Sequence, residues 1–203
     1  MRFSILFVAL LLVGLSSAFR PSSSSSVAPP AVGEQKAVDA VVGSKINWIS
    51  FSEAFELNKK APRKVIVDVY TDWCGWCKVM DQKTFSQPAI IAYVNEHFYA
   101  VKLDAEQTAD IVAGGQTFRK QGNTHELAIN LLQGKMSYPS TVFLDEKMAV
   151  IQPIAGYLEP RIFHQIITYF GSNYQAKEAF DAFKSGTYVR EFQPAMPVPA
   201  SGK

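Results

Sequence analysis

The chain is poor in the residues that hold metals. Its 203 residues include two cysteines, Cys74 and Cys77, and three histidines. A structural zinc site takes four ligands, and one cysteine pair supplies half of them. His97, His125 and His164 stand far apart and show no ligand spacing, so no metal is expected. Covalent haem attachment needs a histidine directly after the second cysteine, and that position is Lys78. Charge is also sparse. The formal net charge is +2 and no run of one sign occurs, which speaks against a nucleic-acid binder or a strongly membrane-attracted surface. No internal repeat of solenoid length is present.

Long apolar runs are missing too. The one candidate, Ile5 to Leu15, is about half of the roughly 20 residues a spanning helix needs. It follows a positive start, Met1-Arg2, and precedes the small residues Ser16-Ser17-Ala18. That is the layout of a secretory signal peptide over residues 1–18. It predicts an exported protein, periplasmic or secreted, with no stable membrane insertion after cleavage. No cysteine lies near the cleavage point, which argues against a lipid-modified form. The Ser-, Pro- and Ala-rich stretch that follows predicts a flexible linker over 19–46. Prolines and small residues near the end predict a disordered tail over 189–203. The folded domain is expected over 47–188, and the hydrophobic share of 48% suits a single core there.

Within that span, periodicity predicts alternating elements. "SFSEAFELNKKAP" reads as a helix, with Ser50 and Glu53 at capping-box spacing. "KVIVDVY", Lys64 to Tyr70, reads as a strand buried on both faces, with Asp68 as an anomaly. "CKVMDQKTF" looks helical, and Pro88 either continues that helix after a kink or opens a new one. "FYAVKLD" is a second buried strand, which completes a βαβ unit and implies a parallel pair. Gly114-Gly115 between two short β-like pieces suggests a hairpin. "NTHELAINLL" reads as a helix capped by Asn123, with Glu126 at its third position. "STVFLD" and "AVIQPIAG" suit an antiparallel hairpin. "EPRIFHQIITYF" is a helix with Pro160 in its first turn. "YQAKEAFDAFKSG" reads as one more helix, stopped at Gly186. The sum is an α/β sandwich around a mixed sheet.

The cysteine pair stands at the junction of the first buried strand and its helix. As a passive disulfide it would close a very small loop, which contributes little chain entropy. As a redox dithiol it is well placed. A thiolate at a helix N-terminus is stabilised by free N–H groups and the helix dipole, so the thiol of Cys74 should titrate below its ordinary value. Cys77, one turn on, should face inward and attack a mixed disulfide formed on Cys74.

"VDVYTDWCGWCK" resembles the active-site segment of thioredoxin-fold proteins, a strand followed by W-C-G-P-C-K at a helix start. The likeness runs from about Ser50 to Phe170 and is nearest to exported bacterial members, including the soluble domains of transmembrane thiol reductases. It implies a thioredoxin-like sandwich, with the stretch 105–132 as an insertion before a cis-proline loop. It implies that Asp68 moves the proton of Cys77, a role that suits a carboxylate in an apolar strand. Lys102 corresponds to the lysine beside that acid. Pro139 corresponds to the cis proline whose loop pairs with an extended substrate, and Tyr138 would border the sulfur. Trp73, Gly75 and Trp76 complete the expected substrate-facing set. Trp76 departs from the family pattern, since it replaces the proline between the cysteines.

The resemblance implies a protein thiol–disulfide oxidoreductase with no cofactor beyond the Cys74–Cys77 disulfide. Disulfide-containing client proteins would be its substrates, and a membrane thiol would donate electrons. Reduction is the favoured direction. Oxidation or isomerisation, a non-catalytic binding module, and copper handling are the alternatives; copper lacks the nearby His or Met ligands it would need.

Overall fold

The computed structural model describes residues 43–192. The expected signal peptide, the linker up to residue 42 and the tail from residue 193 lie outside them. The chain begins with a two-residue strand, β1 (Trp48–Ile49). Helix α1 (Phe51–Lys60) follows, and Ser50 caps it by accepting the Glu53 N–H. Strand β2 (Lys64–Tyr70) has six consecutive buried residues. Helices α2 (Gly75–Lys83) and α3 (Pro88–His97) come next. Pro88 therefore opens a new helix, at the first turn where its missing N–H costs nothing.

Strand β3 (Phe98–Asp104) runs parallel to β2. Strands β8 (Ser140–Leu144) and β9 (Val150–Ala155) are antiparallel to their neighbours. The sheet order is β1-β3-β2-β8-β9, which is the expected mixed sheet. Helix α5 (Pro160–Gly171) packs back onto it.

Strand alternation explains the core. Val65, Val67 and Val69 of β2 join Phe51 and Ala54 of α1 on one face. Ile66 joins Met80, Ile90, Phe163 and Ile167 on the other. Burying a side chain such as these contributes about 1.5–3 kcal/mol. Asp68 falls on the Ile66 face by the same alternation. So do Lys102, two residues beyond Ala100, and Thr141, two residues before Phe143.

Between β3 and β8 lies the expected insertion. Strands β4 (Ile111–Ala113) and β5 (Gln116–Phe118) form the hairpin read from Gly114-Gly115. Both glycines have positive φ, +62° and +78°, as a two-residue primed turn requires. A Cβ on Gly114 would also come within 2.9 Å of the Phe55 ring.

The next stretch corrects one expectation. Thr124–His125 is strand β7, paired with β6 (Lys120–Gln121). Helix α4 (Glu126–Leu131) therefore starts later than expected, and His125, not Asn123, is its cap. Buried His125 accepts the Leu127 N–H at Nδ1, 3.3 Å away. Glu126 becomes the first helical residue and accepts the Arg119 N–H.

The end of the chain differs as well. The expected single helix is replaced by a 3₁₀ turn (Tyr174–Ala176), a short α turn (Phe180–Ala182) and a π turn (Phe183–Thr187), and a last turn, Tyr188–Glu191, follows it. Gly186 sits inside the π turn and stops nothing. Phe183 and Tyr188 are both fully buried. They are five residues apart, the spacing that a π turn brings onto one face. At the other edge, Ile46 is buried in the core, and Phe192 packs against the same cluster.

Candidate active site

Cys74 and Cys77 form a disulfide. Cys74 is the N-cap of α2, and its Sγ accepts the Cys77 backbone N–H at 3.1 Å. The local reason is plain: β2 ends at Tyr70, a short turn follows, and the helix starts with Gly75. A sulfur in this position meets the free N–H groups of the first turn. Each cysteine is only 4% exposed. In the disulfide form Cys74 is as covered as Cys77. Both sulfurs belong to a nearly covered pair.

Asp68 is buried, 2% exposed. Desolvation pushes its carboxyl up to about 6, although the Lys102 ammonium pulls the other way. Lys102 Nζ lies 3.3 Å from Asp68 Oδ2 and 2.5 Å from Asp81 Oδ1. Burial by itself would lower the Lys102 pKa, but the two carboxylates more than offset it and the net shift is upward. The ammonium also lies over the rings of Tyr70, Trp48 and Phe85, at 5.0, 5.5 and 5.7 Å. This is a caged cation, not a loose surface lysine. Asp68 Oδ1 has no hydrogen-bond partner. Sheet register sets Asp68 opposite Thr141, two residues beyond Pro139.

The Tyr138–Pro139 bond is cis, as expected from the resemblance. The Pro139 carbonyl accepts the Gly156 N–H at 2.8 Å, which ties this loop to the end of β9. The two tryptophans of the motif are exposed, Trp73 by 67% and Trp76 by 61%. Each meets a tyrosine. Trp73 and Tyr138 pack edge to face with centroids 6.0 Å apart, and Trp76 lies 5.4 Å from Tyr157. Trp73 Nε1–H donates to Glu106 at 3.1 Å. A Cβ at Gly75 would meet nothing within 4 Å, so no close approach enforces glycine there.

Asp81 and Tyr157 escaped the sequence reading. Asp81 stands four residues after Cys77, so it shares that cysteine's helix face; this spacing was a usable signal. Tyr157 reaches Trp76 through the path of β9 and carries no local signature. No group of three or more His, Cys, Asp or Glu among the described residues could hold a metal. No helix among them is long and apolar enough to cross a membrane.

Comparison with known proteins agrees with this architecture. A thioredoxin-fold protein from Helicobacter pylori superposes with a TM-score of 0.50 at 13% identity, covering 79% of this chain and 97% of that one. That likeness shows the fold. Mouse spermatogenesis-associated protein 20 is 28% identical over 109 residues, which is 48% of this chain and 14% of the relative. The thiol:disulfide interchange protein DsbD of Pectobacterium atrosepticum is 38% identical over 50 residues, 23% of this chain and 9% of that protein. An uncharacterized protein of Caenorhabditis elegans is 31% identical over 67 residues, and 9% of its length is covered. The chain thus spans a small part of these relatives. The family profile described as Thioredox_DsbH, protein of unknown function, DUF255, matches residues 37–184. With most of its length matched and a thioredoxin-like mixed sheet, the chain belongs to the Thioredox_DsbH family.

Proposed function

We propose that the protein is a thiol–disulfide oxidoreductase that reduces protein disulfides outside the cytoplasm. The observation that carries this reading is a disulfide at a helix N-terminus, Cys74–Cys77, on the helix that also brings Asp81 to the Asp68–Lys102 pair. The DsbD relative is named as a thiol:disulfide interchange protein, which supports the same chemistry.

In the working direction the reduced form acts. The Cys74 thiolate attacks one sulfur of a client disulfide. A Cys74–client bond forms, the client S–S bond breaks, and the departing client thiolate takes a proton. Cys77 then gives up its proton and attacks Cys74 Sγ. The Cys74–Cys77 bond forms and the second client thiolate leaves. The client gains two electrons and the dithiol loses two. Asp68, whose carboxyl titrates near 6, takes the Cys77 proton. Lys102 holds that carboxylate once it ionises. The helix dipole favours the Cys74 thiolate. A membrane thiol returns the protein to its dithiol form. The Tyr138–Pro139 loop and the exposed Trp73 and Trp76 receive the client.

Reduction of insulin, followed by turbidity, tests the reading. Wild type should accelerate precipitation, and Cys74→Ser should not. Equal activity of the two proteins would sink it.

A further inference from the structure

Two buried polar atoms on the Ile66 face of the sheet have no hydrogen-bond partner, Asp68 Oδ1 and Thr141 Oγ1. Their residues are 2% and 0% exposed. They stand opposite each other where β2 and β8 pair antiparallel. Directly opposed residues on such strands carry Cβ atoms about 4.5–5.5 Å apart on one face. Asp68 and Thr141 make no hydrogen bond to each other, yet one water between them reaches both. A buried polar atom left unpaired costs on the order of 1–3 kcal/mol. A buried water needs only two to four polar partners, so these two are satisfied together.

The charges around Asp68 decide what its free oxygen must do. Lys102 from β3 and Asp81 from α2 are the charged groups that act on it. Lys102 Nζ lies 3.3 Å from Oδ2. Tyr70, further along β2, lies under the same ammonium, and Cys77 stands one turn before Asp81 on α2. An acid proton placed on Oδ2 would face the ammonium, so the neutral acid carries its proton on Oδ1. That oxygen must accept a hydrogen bond when the acid is ionised and donate one when it is neutral. A hydroxyl and a water each donate and accept, so they serve both states. A methyl group in the place of the hydroxyl serves neither.

We propose that Thr141 is a positioning residue for the proton step: its hydroxyl and one buried water hold Asp68 Oδ1, the oxygen that receives the Cys77 proton. The proposal rests on the exchange reading above. In that step the Cys77 S–H bond breaks and an O–H bond forms on Oδ1. The sulfur keeps the electron pair with which it attacks Cys74. The hydrogen bond supplied from Thr141 favours the ionised acid, which burial otherwise disfavours.

Carbon NMR on the Asp68 carboxyl tests this in the disulfide form, where no thiol titrates and no client is needed. Thr141→Val keeps the shape and loses the hydroxyl. It should raise the Asp68 midpoint by about 1 pH unit. Thr141→Ser keeps the hydroxyl and should restore the wild-type midpoint. Wild type should also show a water NOE at the Thr141 side chain. The pH profile of single-turnover insulin reduction should move in Thr141→Val in the direction of the midpoint. An unmoved midpoint in Thr141→Val, an equal shift in Thr141→Ser, or a wild type without the water NOE overturns the proposal. If the midpoints behave as expected but wild type reduces no insulin, the hydrogen bond to Asp68 stands and the exchange reading fails.

Discussion

Lys102 Nζ sits 3.3 Å from one oxygen of buried Asp68, while the other oxygen of that carboxylate has no partner. The acid is thus half compensated. It is charged only at a cost, and that cost shows in stability before it shows in catalysis.

Asp68 in the fold keeps its proton up to about pH 6, whereas an ordinary aspartate releases it near 3.8. The folded state therefore binds more protons at this group between those values, and the contribution of Asp68 to stability falls as pH rises from about 4 to 6. Asp68→Asn removes this loss. Denaturant unfolding should find the variant close to wild type at pH 4 and more stable at pH 7, by on the order of 2–3 kcal/mol. A variant less stable than wild type at pH 7 would contradict the half-compensated acid.

The neighbours of Asp68 act in opposite directions. Lys102 lowers its pKa and Asp81 raises it. Carboxyl carbon NMR on the Asp68 signal should show the midpoint moving up in Lys102→Met and down in Asp81→Asn. Shifts of the same sign would show that Asp81 does not act through charge.

His164 is a separate, structural titration. It is buried, shares a 2.9 Å hydrogen bond with the Tyr188 hydroxyl, and packs against Tyr93. Desolvation lowers its pKa from 6.5 to about 4. The unfolded chain takes up this proton first as pH falls, so the contribution of His164 is full above about 6.5 and declines toward pH 4, by on the order of 3 kcal/mol, opposite in sign to that of Asp68. Relative to wild type, His164→Phe should gain stability as pH falls from 7 to 4 in thermal melts, even where the lost hydrogen bond makes it less stable at neutrality. A difference between variant and wild type that does not change with pH would remove His164 as a source of pH dependence.

The legible parts of the fold were those with a strong local period. Lys64–Tyr70 and Phe98–Asp104 are mostly apolar runs, interrupted by Asp68 and Lys102, and they pair in parallel register. Ser50 and Pro88 mark helix starts by their own chemistry. The stretch 174–186 departs from a single helix where buried Phe183 is joined by buried Tyr188, five residues on and past Gly186, a spacing that suits a π turn. The cap at His125 was misread because a two-residue hairpin leaves almost no sequence pattern. At the site, Cys74, Cys77 and the cis Pro139 were visible through the motif. The partnership of Lys102 with Asp81 depends on how α2 lies over β3, which no local pattern records.

The central claim is that the Cys74–Cys77 couple delivers electrons to client disulfides. Its reduction potential, measured by equilibration with glutathione or a dithiol buffer, tests this most directly. A value near that of thioredoxin, about −270 mV, is predicted, and a value near about −120 mV would mark an oxidant and contradict the account.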